Sequence, residues 1–257
     1  MRGRYTVPSD LEGFPRCLLA ESVGQLAAWA AMSMVDFRRR PLAGLAGETR
    51  FLGVVAPGQT VDLAVEIEQG DEDAVAYSGS ARVGSTPILE LAHYVGPMLP
   101  TVEFDSPDAL RTDFTRLWDG GAPPGRFVPI PKADVRVMDG MPGAWLSAEL
   151  RVPATASFFE DHFPRRPILP GALLLEAVLG LACRLAGEIL GSPAAWLAPV
   201  RVADVKLRAF ISPGSIVELR VSTLLRTTRA VTVGLEACVA GRPVATAHAE
   251  IAARSAT

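Results

Sequence analysis

Apolar and polar residues alternate along several stretches of this chain, and the same order of stretches occurs twice. The alternation is clear along 61–68 and again along 217–222, and each stretch follows a Pro-Gly pair, at 57–58 and at 213–214. Period-two alternation is typical of half-buried strands, and Pro-Gly suits the centre of a type II turn. The same pattern predicts further strands at 75–83, 87–92, 231–239 and 243–251. Each half is therefore expected to contain an antiparallel meander.

A predicted apolar helix precedes each set of strands. Residues 15–27 align with residues 170–182 at an offset of 155, and residues 51–63 align with residues 207–219 at an offset of 156. Order and spacing are both kept, which is the signature of a repeated structural unit. The alignment places Glu21 on Glu176.

These repeats predict two units and a connector. The first unit covers residues 1–95, the connector residues 96–128, and the second unit residues 129–257. The connector is rich in proline and glycine, but Ser106 followed by Pro107 predicts the N-cap and first residue of a short helix within it.

Two additional strands are predicted at the start of the second unit, at about 133–138 and 144–152. The first unit has little sequence in the corresponding place. We therefore expect the first unit to lack these opening strands.

Composition excludes several classes of protein. The chain has 25 basic and 28 acidic side chains and a net charge of −3, whereas nucleic-acid-binding domains are strongly basic. Its three cysteines show no C-x-x-C spacing, which predicts reduced thiols and no zinc site. No signal peptide is visible, and the apolar run 172–183 is too short to span a bilayer. We expect a cytoplasmic protein that neither inserts into a membrane nor binds nucleic acid.

The candidate chemistry is concentrated around His162. This residue begins a proline-braced turn, H-F-P-R-R-P-I-L-P-G over residues 162–171, and Glu176 follows fourteen residues after it. An imidazole and a carboxylate in an apolar setting suit acid-base catalysis. His93 and His248 lie outside any motif, and we expect structural roles for them.

Residues 158–173 together with Glu176 resemble the active-site signature of the bacterial β-hydroxyacyl-ACP dehydratases of hotdog fold. The resemblance extends over residues 129–257, and residues 15–95 look like the same fold. One departure is Asp161, where the family usually has glycine, which raises the question of the local backbone torsion.

The resemblance implies an α+β double hotdog, in which each half is a long central helix wrapped by an antiparallel β-sheet. In this family two hotdog domains pair, and each active site takes its histidine from one domain and its helix carboxylate from the other. By implication His162 faces Glu21, and Glu176 faces a degenerate site in the first half.

The first-half site is expected to be inactive. No histidine occurs in residues 1–92, the offset places Val7 where His162 would be, and Arg16 replaces Gly171. We therefore expect one working active site per chain.

The resemblance and the residue types together suggest a (3R)-hydroxyacyl-thioester dehydratase, a hydro-lyase. His162 would be the base, and Glu21, with a pKa raised by burial, would be the acid. The Gly171 N–H would stabilise the thioester oxygen, with Phe163 and Pro170 beside it at the substrate. Glu176 is the less favoured catalytic carboxylate. No cofactor and no metal are expected.

The expected partner is an acyl carrier protein or a coenzyme A thioester. Arg165 and Arg166, together with the basic cluster at 38–40, would steer an acidic carrier protein, although they could equally be solvated surface charges. The chain could also assemble into a homo-oligomer of such pseudo-dimers.

Two other functions stay open at this point. One is a hotdog thioesterase, and the other is a non-catalytic acyl-binding or scaffold module of a fatty-acid, related lipid or polyketide assembly line.

Overall fold

Two long helices and a twelve-stranded antiparallel sheet make up the part of the chain that the computed structural model describes, residues 1–11, 13–121 and 130–254. The helices are α1 (Arg16–Met34), α2 (Pro107–Gly120), α3 (Phe158–Asp161) and α4 (Gly171–Leu190). The strands of the first half are β1 (Arg2–Thr6), β2 (Arg39–Pro41), β3 (Leu45–Phe51), β4 (Thr60–Gly70), β5 (Ala74–Val83) and β6 (Thr86–Pro100). The strands of the second half are β7 (Asp134–Met141), β8 (Trp145–Arg151), β9 (Leu197–Leu207), β10 (Ile216–Arg226), β11 (Ala230–Val239) and β12 (Arg242–Ala253).

The sheet is continuous across the two halves. Its strand order is β1-β4-β5-β6-β3-β9-β12-β11-β10-β8-β7, and β2 pairs with β6 outside this path. The halves meet where β3 pairs with β9, with Ala46 opposite Val205 and Thr49 opposite Val202. The hydrophobic core likewise combines residues of both halves in one cluster.

The strands predicted from alternation are confirmed. Along β4 the apolar residues Val61, Leu63 and Val65 are buried, while the residues between them are partly exposed. The glycines of both Pro-Gly turns have the positive φ that a type II turn requires, 80° at Gly58 and 77° at Gly214.

The helical repeat is also present in the structure. α1 and α4 begin directly after Pro15 and Pro170, which have nearly the same extended torsions. Glu21 and Glu176 are each the sixth residue of their helix, as the offset of 155 requires. The two helices contact each other and lie against the sheet, so both carboxylates are at the junction of the halves.

One of the two opening strands does have a counterpart in the first half. β1 pairs with β4 as β8 pairs with β10, so the expectation that the first half lacks both strands is wrong for β1. No strand of the described residues 1–11 and 13–121 corresponds to β7.

The structure also corrects the predicted place of Val7. The Val7 N–H donates to the Gln59 carbonyl at 3.0 Å, and the Val152 N–H donates to the Ser215 carbonyl at 3.0 Å. Val7 therefore corresponds to Val152 and not to His162. From there to the helix, the first half has eight residues, 8–15, where the second half has eighteen, 153–170. The segment that carries the histidine in the second half is thus absent from the first.

The connector contains the predicted helix. Ser106 caps α2, because its hydroxyl accepts a hydrogen bond from the Ala109 N–H at 3.4 Å. β6 extends to Pro100, beyond the predicted boundary at residue 95. The Pro-Pro-Gly run at 123–125 lies outside the described residues. In the described ranges, no helix combines the length and the apolar character needed to cross a bilayer.

Candidate functional site

A cavity of about 470 Å³ lies at the junction of the two halves. Both helices and strands from both halves form its wall. The residues predicted for the site that line it are Glu21, His162, Phe163, Gly171 and Glu176. Pro170, the N-cap of α4, is buried and is not one of the residues that line the cavity. The predicted catalytic groups, which lie far apart in the sequence, therefore line one cavity.

His162 is held at the cavity by the turn that follows α3. Its Nδ1 lies 3.2 Å from the Ile168 carbonyl oxygen. Because a carbonyl only accepts hydrogen bonds, Nδ1 is the protonated nitrogen, and Nε2 keeps a lone pair. Burial, with a smaller contribution from the nearby charge of Arg40, lowers the pKa of His162 to about 4. The imidazole is therefore neutral near pH 7 and able to accept a proton.

The residue after the histidine carries the unusual torsion of this turn. Phe163 has a φ of 64°, which is uncommon for a residue with a side chain. Its ring packs with Leu42, Phe104 and Ile168. Asp161, where the family usually has glycine, is the last residue of α3. The left-handed position of the turn is thus at Phe163, and Asp161 stays in the helical region.

Gly171 is the first residue of α4, at the helix N-terminus that faces the cavity. In the described part of the chain its N–H has no hydrogen-bond acceptor, as expected for the first turn of a helix. A Cβ at this position would lie 2.8 Å from Leu207 Cδ1. A larger residue here would therefore have to displace the end of the Leu207 side chain, whereas glycine leaves the N–H open to a ligand without such a shift.

The two helix carboxylates are in different environments. Gln25, one turn after Glu21, donates a hydrogen bond from Nε2 to Glu21 Oε1 at 2.6 Å. Burial raises the pKa of Glu21 in spite of this hydrogen bond. Glu176 is exposed, and the residue one turn after it is Gly180. The supported carboxyl with a raised pKa is therefore Glu21, on the helix of the half without the histidine.

Glu176 lies instead near the start of α1. Its charge and a hydrogen bond contribute to the raised pKa of the buried Cys17 thiol, although burial is the main cause. It also acts on Arg16, which occupies the place of Gly171 in the first half. Glu176 therefore acts on a guanidinium and a thiol of the first half.

Gln25 and a polar wall beside Glu21 were not predicted from the sequence. Tyr77 and Tyr94 line the cavity with their ring centroids 5.3 Å apart, and the hydroxyl groups of Tyr94 and Thr49 are hydrogen-bonded. Burial raises the pKa of both tyrosines, so both hydroxyls stay protonated. A signal for Gln25 was present, since a glutamine four residues after the glutamate occurs in one helical repeat and is missing from the other.

Replacing Glu21 by glutamine is expected to stabilise the chain at neutral pH. The pKa of Glu21 is raised in the folded state, so the stability contributed by the protonated carboxyl is present below the unfolded pKa and is lost as pH rises. Glutamine does not ionise, so we expect Tm at pH 7 to rise by roughly 2–4 °C, which corresponds to about 1 kcal/mol for a chain of this size. Calorimetry at pH 7 and pH 4 tests this, with the exposed Glu176→Gln as the matched control. An equal gain at both pH values would contradict it.

The arginines predicted to dock a carrier protein are in part engaged within the chain. Arg165 donates to the Val102 carbonyl at 3.0 Å, and Arg166 lies 3.7 Å from a carboxylate oxygen of Glu103. Both side chains remain largely exposed. In the cluster at 38–40, however, Arg40 is buried and paired with Asp105, so the expectation that the whole cluster is available to a partner is wrong for Arg40.

The whole fold has relatives among solved structures. A structure described as an oleoyl thioesterase from Lactobacillus plantarum superposes with a TM-score of 0.63 at 11% identity and covers 99% of this chain and 96% of its own. The 12:0-ACP thioesterase of Umbellularia californica gives a TM-score of 0.58 at 9% identity, covering 99% of this chain and 94% of its own. Identities this low show a common fold only. The chain thus has the hotdog fold.

Sequence comparisons then identify the family. A family model for ApeI-like dehydratases matches residues 142–240. The chain is 31% identical over 113 residues to the 3-hydroxyacyl-[acyl-carrier-protein] dehydratase FabZ of Lactiplantibacillus plantarum, a match that covers 43% of this chain and 76% of that protein. The FabZ of Actinobacillus succinogenes is 35% identical over 92 residues, which is 35% of this chain and 60% of that protein. The chain belongs to the family of 3-hydroxyacyl-acyl-carrier-protein dehydratases.

Proposed function

We propose that this protein is a (3R)-hydroxyacyl-thioester dehydratase with one working active site per chain. The observation that carries the proposal is the joint placement of His162 and Glu21 in the wall of one cavity, each from a different half. The imidazole is neutral with a free Nε2, and the carboxyl has a raised pKa. An acid and a base with these opposite protonation preferences are what an elimination of water requires.

The proposed reaction eliminates one water molecule, and each proton that moves has a donor and an acceptor. His162 Nε2 takes a proton from the carbon next to the thioester carbonyl, and the electron pair of that C–H bond forms the new C=C bond. The C–O bond of the 3-hydroxyl breaks as Glu21 donates its proton, so that water leaves. The Gly171 N–H at the N-terminus of α4 stabilises the charge that develops on the thioester oxygen. Phe163, in the cavity wall, would contact the substrate beside these groups, and Pro170 would place Gly171 there as the N-cap of α4.

The proposed architecture behind this site is a double hotdog. Units at residues 1–95 and 129–257 would each consist of a long helix and its sheet, with residues 96–128 as the connector. The symmetric strand order about the β3–β9 pair and the matching helix starts support this division. Higher assembly into a homo-oligomer of such pseudo-dimers is also part of the proposal.

The proposed substrate is an acyl group carried by an acyl carrier protein or by coenzyme A. Arg165 and Arg166 are exposed in the turn that begins with His162, and their charges would attract an acidic carrier. Fatty-acid or polyketide assembly is the setting that such a substrate suggests. No step of the proposed reaction requires a cofactor or a metal.

A hydration assay tests the function directly. We expect the purified chain to hydrate a short 2-enoyl thioester, measured as loss of absorbance of the conjugated double bond, without an added cofactor and after treatment with a chelator. Parallel assays with acyl carrier protein and coenzyme A thioesters identify the carrier. A thiol-detecting reagent in the same samples reports thioester hydrolysis. Release of thiol without hydration would favour a thioesterase, and saturable binding without turnover would favour a scaffold module; either result would overturn the proposal.

A further inference from the structure

A buried arginine of the first half lies against the turn that carries His162. Arg40, on the short strand β2, is 8% exposed. Its guanidinium carbon lies 4.3 Å from the centre of the Phe163 ring, and its Nη1 lies 3.4 Å from Asp105 Oδ2. It also lines the same cavity as the imidazole. The active-site turn of one half is thus held by a side chain of the other.

A contribution to folding stability does not explain why an arginine is buried at this position. Its Nε is buried and has no hydrogen-bond partner among the described residues, and its one ion pair is long. A buried pair with this incomplete hydrogen bonding gains little over apolar side chains of the same size. The position of Arg40 is better explained by what it holds in place.

What Arg40 holds is a turn with an unfavourable torsion. Phe163 has a left-handed φ of 64°, and such torsions persist where the surroundings fix them. A guanidinium stacked on an aromatic face supplies a directional contact, and it covers the Phe163 ring next to Leu42 and Phe104. His162 directly precedes Phe163 in this turn, so the contact lies next to the imidazole.

We propose that Arg40 is a positioning residue for His162, which clamps Phe163 from the opposite half and keeps the imidazole directed into the cavity. The expected effect of Arg40 on turnover rests on the proposed dehydratase function. The expected effect of Arg40 on His162 does not depend on activity.

The electrostatic part of the proposal has a defined direction. The charge of Arg40 opposes protonation of His162 and adds to the effect of burial on the pKa of the imidazole. Several other charged groups lie around this end of the cavity and on the turn, and none of them is changed in the test. They are Glu21 on α1, Asp105 and Glu103 before α2, Glu160 on α3, Arg165 and Arg166 in the turn, Arg208 after β9, Glu236 on β11, and Arg16 and Glu176 farther along the wall.

The test compares Arg40→Met, Arg40→Lys and Arg38→Met. Methionine keeps an unbranched apolar chain without charge, and lysine keeps the charge without the planar stack. Arg38 is an exposed neighbour that pairs with Glu72 at the surface, so Arg38→Met is the matched control. The chain has only three histidines, so NMR titration of their ring signals, with His162 assigned by its absence in His162→Ala, measures the pKa and the tautomer of this one residue.

We expect Arg40→Met to raise the pKa of His162 and to lower kcat by on the order of tenfold or more with a smaller change in KM. Arg40→Lys should keep the low pKa but still lose turnover, and Arg38→Met should change neither. Circular dichroism and Tm identify any variant that fails to fold. If Arg40→Met fails to fold, Asp105→Asn replaces it in the test. Asp105→Asn releases the guanidinium without removing it and should lower kcat in the same way.

An unchanged His162 pKa and tautomer in folded Arg40→Met would overturn the inference whether or not the wild-type chain is active. A wild-type chain without hydratase activity in which Arg40→Met still shifts the His162 titration would instead contradict the proposed function and support the clamp.

Discussion

Replacement of His162 by alanine is expected to lower kcat/KM for enoyl-thioester hydration by on the order of 10² to 10⁴, the usual worth of a positioned general base. The neutral imidazole, with Nδ1–H directed to Ile168 O and Nε2 free, is the only group of the described cavity wall that combines a basic nitrogen with neutrality near pH 7. Steady-state hydration rates at several substrate concentrations measure the loss.

The other two histidines provide the controls for this variant. His248 is exposed and lies 3.1 Å from an Asp204 carboxylate oxygen, and His93 is an exposed residue of β6. Alanine at either position should leave turnover within about twofold of wild type, as expected for exposed side chains away from the site. A His162→Ala protein that folds and retains most of its activity would remove the base from the proposed mechanism.

The second large effect on turnover is expected when one of the two helix glutamates, but not the other, is replaced by glutamine. Glu21→Gln removes the proton donor and should lower kcat by on the order of 10² or more, whereas Glu176→Gln should retain most of the activity. The reason is the environment: Glu21 has a raised pKa and the support of Gln25, while Glu176 is exposed and lies near Arg16 and Cys17.

Both variants replace a carboxyl by an amide at the sixth position of equivalent helices, so each is the control for the other. Kinetics of the two single variants and of the double variant distinguish the roles. If Glu176→Gln lost turnover while Glu21→Gln kept it, the base and the acid would belong to the same half, and the pairing across the two halves would be wrong.

Much of the fold could be predicted because its signals are local and repeated. Alternation gave the strands, the Pro-Gly pairs gave the turns, and the shared helix start gave the equivalence of Glu21 and Glu176. Val7 was misplaced because a constant offset ignores a difference in loop length, and the first half has a much shorter connection before its helix. Strand β1 was missed for the same reason.

The contacts between the halves were harder to predict. Arg40 stands in a run of three arginines, a pattern typical of a solvated surface, but in the fold it is buried between Asp105 and the Phe163 ring of the second half. Tyr77 and Tyr94 follow the alternation of their strands like any core residues, and nothing in that pattern indicates which core positions face a cavity. Periodicity reports which face of an element is covered, but not by which distant segment.

The pairing of β3 with β9 has a consequence for how the protein works in dilute solution. A site built from two separate subunits comes apart when they dissociate, whereas here the polypeptide itself keeps both contributors together at a fixed effective concentration. Specific activity should therefore stay constant on dilution far into the nanomolar range. Because the contributors are different stretches of one chain, the two sides can also differ in sequence: His162 lies in the eighteen residues 153–170, and the eight residues 8–15 contain no histidine.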